Sequence, residues 1–274
     1  MRITHQPSPW IADYGNFVVK ANIPQSAVDN DYGDYIGYSP SKSTFSPYYF
    51  KTNFMTGGTM TETSQMEFTA TRHGGAMKLQ FPSFVDDAAD AGFFQDRRIS
   101  VLLNGGSDTA TVSNTLLPDG TTTISGYTVH ASGSVPSNFA YYFVVAIYAG
   151  PEGNKPTTAK LTYNTSSVAY ADFNAEDDLY TNFVVRIGTS LISLEQAIVA
   201  LNAEVSTDKT FVSLVAEAKQ EWNGVLSRAV LEDVGNGYSV QETKDKYTTF
   251  YSTLYRMSLF PRQLTEIDST GKRH

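Results

Sequence analysis

The stretch Thr4-His5-Gln6-Pro7-Ser8-Pro9-Trp10-Ile11-Ala12-Asp13-Tyr14-Gly15 puts an indole and a carboxylate close together on a chain stiffened by two prolines. Pro7 and Pro9 fix their own φ angles and push the residues before them into extended conformations. A rigid loop of this kind can offer Trp10 as a flat apolar face to the C–H side of a pyranose. Asp13 can then accept hydrogen bonds from paired hydroxyls. The chemistry such a pair supports is sugar binding. The same residues also suit a buried loop anchor, with Trp10 as a plug.

The segment resembles the "HQPSPWIGDYG" stretch of glycoside hydrolase family 92, the exo-acting α-mannosidases. Further similar blocks follow in the family's order: Phe45-Ser46-Pro47-Tyr48-Tyr49-Phe50, Glu67-Phe68-Thr69-Ala70-Thr71-Arg72 and Val135-Pro136-Ser137-Asn138-Phe139. The last is Phe250-Tyr251-Ser252-Thr253-Leu254-Tyr255-Arg256, with Phe260-Pro261-Arg262 after it. Two departures stand out. Ala12 replaces the family's glycine, and the chain begins inside the family's first domain.

The resemblance implies inverting hydrolysis of α-linked mannose, assisted by calcium, in an enzyme that is secreted or periplasmic. It places the acid, the base and the calcium ligands in a helical barrel after the sandwich, and this chain ends at His274 where that barrel has barely begun. The expectation is therefore an incomplete enzyme, with no catalytic residue and no calcium of its own, whose partners are α-mannoside glycans and a missing C-terminal catalytic domain. The resemblance also puts an acidic residue after the third helix, in a loop facing the bound mannose, where it binds hydroxyls rather than moving protons. Glu266 aligns with it best, and Asp268 is its rival. Against this stands a solvated carboxylate near a chain end.

Composition sets outer bounds. The chain has 274 residues, enough for one large or two modest domains with a real core. A net charge of −8 and a pI near 5.0, with no basic run, argue against a nucleic-acid partner. Only 18% of residues are charged while 13% are aromatic, so polarity comes from Ser, Thr, Asn and Tyr, a profile suited to a β-rich, carbohydrate-facing domain. Cysteine is absent, which removes disulfides and thiolate chemistry. No apolar run reaches membrane-spanning length, and Met1-Arg2-Ile3-Thr4-His5 is not a signal peptide.

The pattern changes once, between residues 172 and 190. Before it, Met66–Arg72, Ala76–Phe81 and Thr122–His130 alternate, while Arg98–Leu103 and Tyr141–Tyr148 read as strands buried on both faces. Turn signals such as Gly74-Gly75, Asn104-Gly105-Gly106 and Pro118-Asp119-Gly120 separate them. Phe183–Ile187 reads as the last strand. After it come Ser193-Leu194-Glu195-Gln196 and Ser239-Val240-Gln241-Glu242, both capping boxes. The period predicts helices near 194–205, 209–228 and 240–259, the second carrying Phe211, Leu214, Val215, Ala218, Trp222, Val225 and Leu226 on one face. The fold expected is α+β: an antiparallel β-sandwich over 1–190, then a helical linker or barrel start over 191–274.

The remaining motifs are weaker. Asp29-Asn30-Asp31 and Glu176-Asp177-Asp178 lack calcium-loop spacing and read as turn carboxylates. His5, His73 and His130 are scattered, as surface or satisfied polar residues are. Asn104-Gly105-Gly106-Ser107 lacks the Gly-Lys-Ser/Thr helix of a phosphate loop, and Asn164-Thr165-Ser166 fits a glycosylation sequon. The rival reading of the whole chain is a free-standing carbohydrate-binding or interaction module. A third is a structural domain packed against a catalytic barrel.

Overall fold

The computed structural model of the chain describes residues 1–4, 14–24, 37–55, 63–83, 96–131, 135–174, 176–232, 237–259 and 264–274. Its strands begin with β1 (Arg2–Thr4), β2 (Asn16–Asn22), β3 (Thr44–Ser46), β4 (Tyr49–Met55), β5 (Thr63–Ala70), β6 (Gly74–Gln80) and β7 (Arg97–Leu102). They continue with β8 (Thr109–Ser113), β9 (Thr123–Thr128), β10 (Tyr141–Ala149), β11 (Lys155–Pro156), β12 (Leu161–Asn164), β13 (Val168–Phe173) and β14 (Asn182–Ser190). Helices α1 (Leu194–Glu204), α2 (Phe211–Leu226) and α3 (Val240–Ser258) follow.

The strands form two antiparallel sheets. One runs β1-β2-β7-β13-β12, and the other β3-β4-β5-β6-β14-β10-β9-β8, with β11 added on β10. The expected α+β order, sandwich strands first and helices after, is the one observed.

Strand β10 shows why a continuous apolar run belongs here. Tyr141, Phe143, Val145 and Ile147 point between the sheets, while Val144, Ala146 and Tyr148 lie under the helices. A strand covered on both faces loses the alternation of a half-exposed one. β14 repeats the scheme, with Phe183, Val185 and Ile187 inward and Val184 towards the helices. Although last in sequence, it sits inside the larger sheet between β6 and β10. Aromatic rings fill the space between the sheets: Phe17 stacks on Phe143 at 4.4 Å, and Phe81, Phe173 and Tyr180 surround Phe183. The outward side of β7 is polar yet buried. Arg98 makes a fork to Asp172, both bonds 2.7 Å, with its guanidinium 3.7 Å from the centre of the Tyr170 ring. Such a pair fixes register more than it adds stability.

Helix α1 rests directly on β14. A Cβ at Gly188 would stand 2.3 Å from the Ala197 carbonyl oxygen and 2.8 Å from the Leu201 nitrogen, so only glycine allows this approach. Ala197, Leu201 and Val205 then join Phe211 and Leu214 of α2 in a second core over the outer face of the larger sheet. α3 buries no residue completely. It leans on α2 through Tyr255 against Trp222 (5.0 Å), and Tyr255 also meets Phe45 of β3.

The two capping boxes differ. Ser239 and Glu242 form the complete reciprocal pair at the start of α3. At α1, Ser193 accepts from the Gln196 main-chain N–H as expected. The Gln196 side chain does not turn back to the cap: its amide donates to the Ile267 carbonyl at 2.7 Å. A distant acceptor wins over the local one.

Candidate functional site at the sheet–helix junction

Four segments meet where β14 passes into α1: the β5–β6 turn, residues 189–191, helix α1 and residues 265–268. His73, in the turn, is pinned through its main chain. Its N–H donates to Glu204 Oε2 at 2.9 Å, and its carbonyl accepts from both Thr189 N–H (2.7 Å) and Thr189 Oγ1 (2.9 Å). The His73 ring spans two elements, with Nδ1 2.6 Å from Glu204 Oε1 and Nε2 3.4 Å from the Thr265 carbonyl oxygen. The hydrogen bond that the His73 ring donates to Glu204 raises the His73 pKa, partly opposed by burial, and the nearby Glu204 and Glu266 charges raise it further. For Glu204, burial pushes the pKa up, but the hydrogen bonds from the His73 ring and main-chain N–H outweigh it and the net shift is downward.

Glu266 lies at the centre of this junction and is only 6% exposed. Ser190 Oγ donates to its Oε2 and the Leu191 N–H to its Oε1, each at 2.6 Å. Its backbone opens a hairpin that returns through Asp268 N–H to Lys272 O (3.0 Å) and His274 N–H to Glu266 O (2.9 Å). Gly271, at φ +84°, supplies the left-handed residue that this tight return requires. Asp268 serves the hairpin itself. Its Oδ1 accepts from Thr270 N–H, Thr270 Oγ1 and Lys272 N–H, and its Oδ2 meets His274 Nε2 at 2.8 Å. The Thr270 hydroxyl first, then His274 and the Lys272 amide, hold this half-buried carboxyl well below the usual carboxylate range.

The structure thus brings Glu266 and Asp268 into one hairpin. Trp10 and Asp13, like Asp29 to Asp31 and His5, lie outside the described residues. The end of the first motif is visible. Gly15, at φ +90°, packs so closely on Tyr141 that an added Cβ would stand 2.3 Å from the Tyr141 Cβ. Two features were missed from sequence. One is the His73–Glu204 pair, whose partners stand 131 residues apart. The other is Arg186, 1% exposed, whose guanidinium gathers the carbonyls of Glu152, Gly153, Val205, Ser206 and Lys209. No local pattern reports either.

A cavity of about 540 Å³ opens elsewhere, lined by Val19, Phe54, Met66, Met77 and Leu103 among others. Among the described residues no carboxylate lines it, and neither Glu266 nor Asp268 is in its lining. Among the described residues no group of three or more His, Asp or Glu side chains is arranged to hold a metal ion. The calcium implied by the resemblance therefore finds no ligand set among them. No helix among the described residues is long and apolar enough to cross a membrane.

Comparison with known proteins gives a consistent picture. Residues 1–190 match the glycosyl hydrolase family 92 N-terminal domain, and residues 196–274 match the glycosyl hydrolase family 92 catalytic domain. No curated protein matches the chain. Among solved structures it is similar to the family GH92 inverting mannosidase BT2199 from Bacteroides thetaiotaomicron VPI-5482, at 26% identity and a TM-score of 0.75. That match covers 99% of this chain and 33% of the mannosidase. The family hydrolase ccman5 (16% identity, TM-score 0.63) shares the fold over 96% of this chain and 37% of its own. The α-mannosidase BT3965 from Bacteroides thetaiotaomicron (16%, 0.61) does so over 96% and 36%. The chain thus spans about a third of the length of the solved proteins it matches. With both family domains matched in order along almost its whole length, the chain belongs to glycosyl hydrolase family 92.

Proposed function

We propose that the chain forms the sugar-facing N-terminal part of an inverting α-mannosidase, with a sandwich domain over 1–190 and the opening of the catalytic barrel over 191–274. The observation that carries this reading is the consecutive match to the family's N-terminal and catalytic domains on a chain a third as long as the mannosidase it resembles. Inverting hydrolysis needs an acid and a base roughly 6.5–9.5 Å apart, with room between them for water. The carboxylates of this junction suit a different task. Asp268 is held ionised by its donors, so it has no proton to give, and its oxygens are committed to the hairpin. Glu266 accepts one protein donor on each oxygen. Each oxygen keeps a lone pair, and a sugar hydroxyl has an acceptor there. In this reading Glu266 binds hydroxyls, Asp268 shapes the hairpin, Trp10 stacks on the pyranose and Asp13 takes a second hydroxyl pair. The acid, the base and the calcium belong to the part of the family's length that this chain does not span.

Burial of Glu266 favours a second reading, in which it is a fastener between β14 and the hairpin rather than a ligand. Titrating the chain with mannoimidazole, beside thermal melts, separates the two for the Trp10→Ala and Glu266→Gln variants. Sugar-binding residues weaken the titration and leave the melt near its original midpoint. A Trp10 plug lowers stability by about 3–5 kcal/mol, as large core truncations do. For activity, the chain is expected not to turn over an aryl α-mannoside even with calcium, because a missing proton-transfer group alone removes a factor of about 10²–10⁴. Calcium-dependent turnover by the purified chain overturns the assignment of acid and base elsewhere.

A further inference from the structure

We propose that His73 is a positioning residue for Glu266, and that it holds the Thr265–Glu266 segment only as the doubly protonated imidazolium. The functional meaning of this rests on the reading of Glu266 as a sugar-facing carboxylate. The geometry itself does not.

Both ring nitrogens face groups that only accept. Nδ1 lies 2.6 Å from a Glu204 carboxylate oxygen, and Nε2 lies 3.4 Å from the Thr265 carbonyl oxygen. A neutral imidazole has a single N–H. It can serve one of these acceptors and must turn a lone pair towards the other. The short contact with the carboxylate is the charge-assisted one and retains the proton. The bare Nε2 then confronts Thr265, whose neighbour in sequence is Glu266. The backbone beneath the ring is itself held, its N–H by Glu204 and its carbonyl by Thr189.

The charges facing the ring favour the imidazolium. Glu204 comes from α1 and Glu266 from the C-terminal segment, and both act to keep the ring protonated. On the turn itself, Arg72 is directed to Glu221 of α2, at 3.6 Å. The positive ring thus links the β5–β6 turn, α1 and the hairpin that carries Glu266. Losing its second proton removes only the hairpin link.

The test uses amide hydrogen exchange of the chain between pH 5.5 and 8.5, read as protection factors. The Leu191 N–H reports the Glu266 carboxylate, and the His274 N–H reports the hairpin. Val145, in the inter-sheet core, reports global opening. Protection at Leu191 and His274 is expected to fall by at least about tenfold as pH rises past the histidine range, the size of one hydrogen bond to a charged group, while Val145 stays unchanged. In His73→Asn the Nδ2 stands near the place of Nδ1, so the Glu204 bond is kept and the step with pH disappears. Protection at Leu191 that does not change with pH, or a step that survives in His73→Asn, overturns the proposal. A second measurement covers a variant that fails to fold. Nitrogen-15 shifts of the wild-type His73 ring must show both nitrogens protonated at pH 6, and a neutral ring there also overturns it. None of these readouts involves sugar. A failed mannoside titration therefore counts against the subsite reading alone, and a flat exchange profile against the positioning role alone.

Discussion

Arg186 is a cation set among main-chain carbonyls. Val205 and Ser206, two of its acceptors, lie at the end of α1, where the helix dipole is negative. Glu152, Gly153 and Lys209 supply the others, so one side chain joins β14 to the β10–β11 turn and to both ends of the α1–α2 connection. Arg186→Met keeps the bulk and removes every donor. It is expected to destabilise the chain by roughly 3 kcal/mol or more in urea denaturation, because several buried carbonyls lose their partner at once. Arg186→Lys falls between the two, since one ammonium cannot match the fork. His73 gives a prediction with a sign that depends on pH. Its folded pKa is raised, so its contribution is complete below the unfolded value of about 6.5 and is lost as pH climbs through the folded value above it. Glu204 is lowered and behaves oppositely: its contribution is present above 4.5 and is lost as pH falls through its folded value. Thermal melts of wild type and His73→Asn should differ most between these limits and converge at alkaline pH. A constant gap at all pH values contradicts the pairing.

Among elements, the contact between α1 and β14 is the most exacting. Gly188→Ala forces a methyl against the backbone of α1 at Ala197 and Leu201, and backbone yields less than a flexible side chain. A loss of about 1–3 kcal/mol, the range of overpacked cores, is expected in denaturation, with Ala197 and Leu201 amides exchanging faster. Ser239→Ala removes half of the complete capping box and should cost about 1 kcal/mol of helix stability, seen as fraying of the first turn of α3 by exchange. These elements also show what sequence can and cannot reveal. The runs of β10 and β14 and the spacing of Phe211, Leu214 and Trp222 announce themselves, because period is a local property. Gln196 looks like a cap residue for the same local reason, yet its amide goes to Ile267, 71 residues on. Arg98 and Asp172 stand 74 residues apart, and nothing beside either names the other. Glu266 was legible only through resemblance. Its burial by Ser190 and Leu191 follows from a fold that brings the chain end back to the last strand.

For the whole molecule, stability is unevenly spread. The inter-sheet core and the layer under α1 are closed by buried apolar residues, whereas α3 buries none completely and exposes Val240 and Met257 by 88% and 68%. Amide protection should therefore descend from β10 through α1 to α3, by orders of magnitude between the extremes. Equal protection in β10 and α3 contradicts that gradient. The place of β14 has a consequence for how the molecule is made. Synthesis runs from the N-terminus, and the strand that joins β6 to β10 is the last of the sandwich to be produced. Until residues 182–190 emerge, the larger sheet exists as two halves, each ending in an unpaired edge at β6 or β10. Such edges are templates for pairing with another chain. A nascent chain halted before Asn182 is thus a sticky intermediate rather than a smaller sandwich, and a ribosome that pauses there needs a chaperone more than one that pauses after α1.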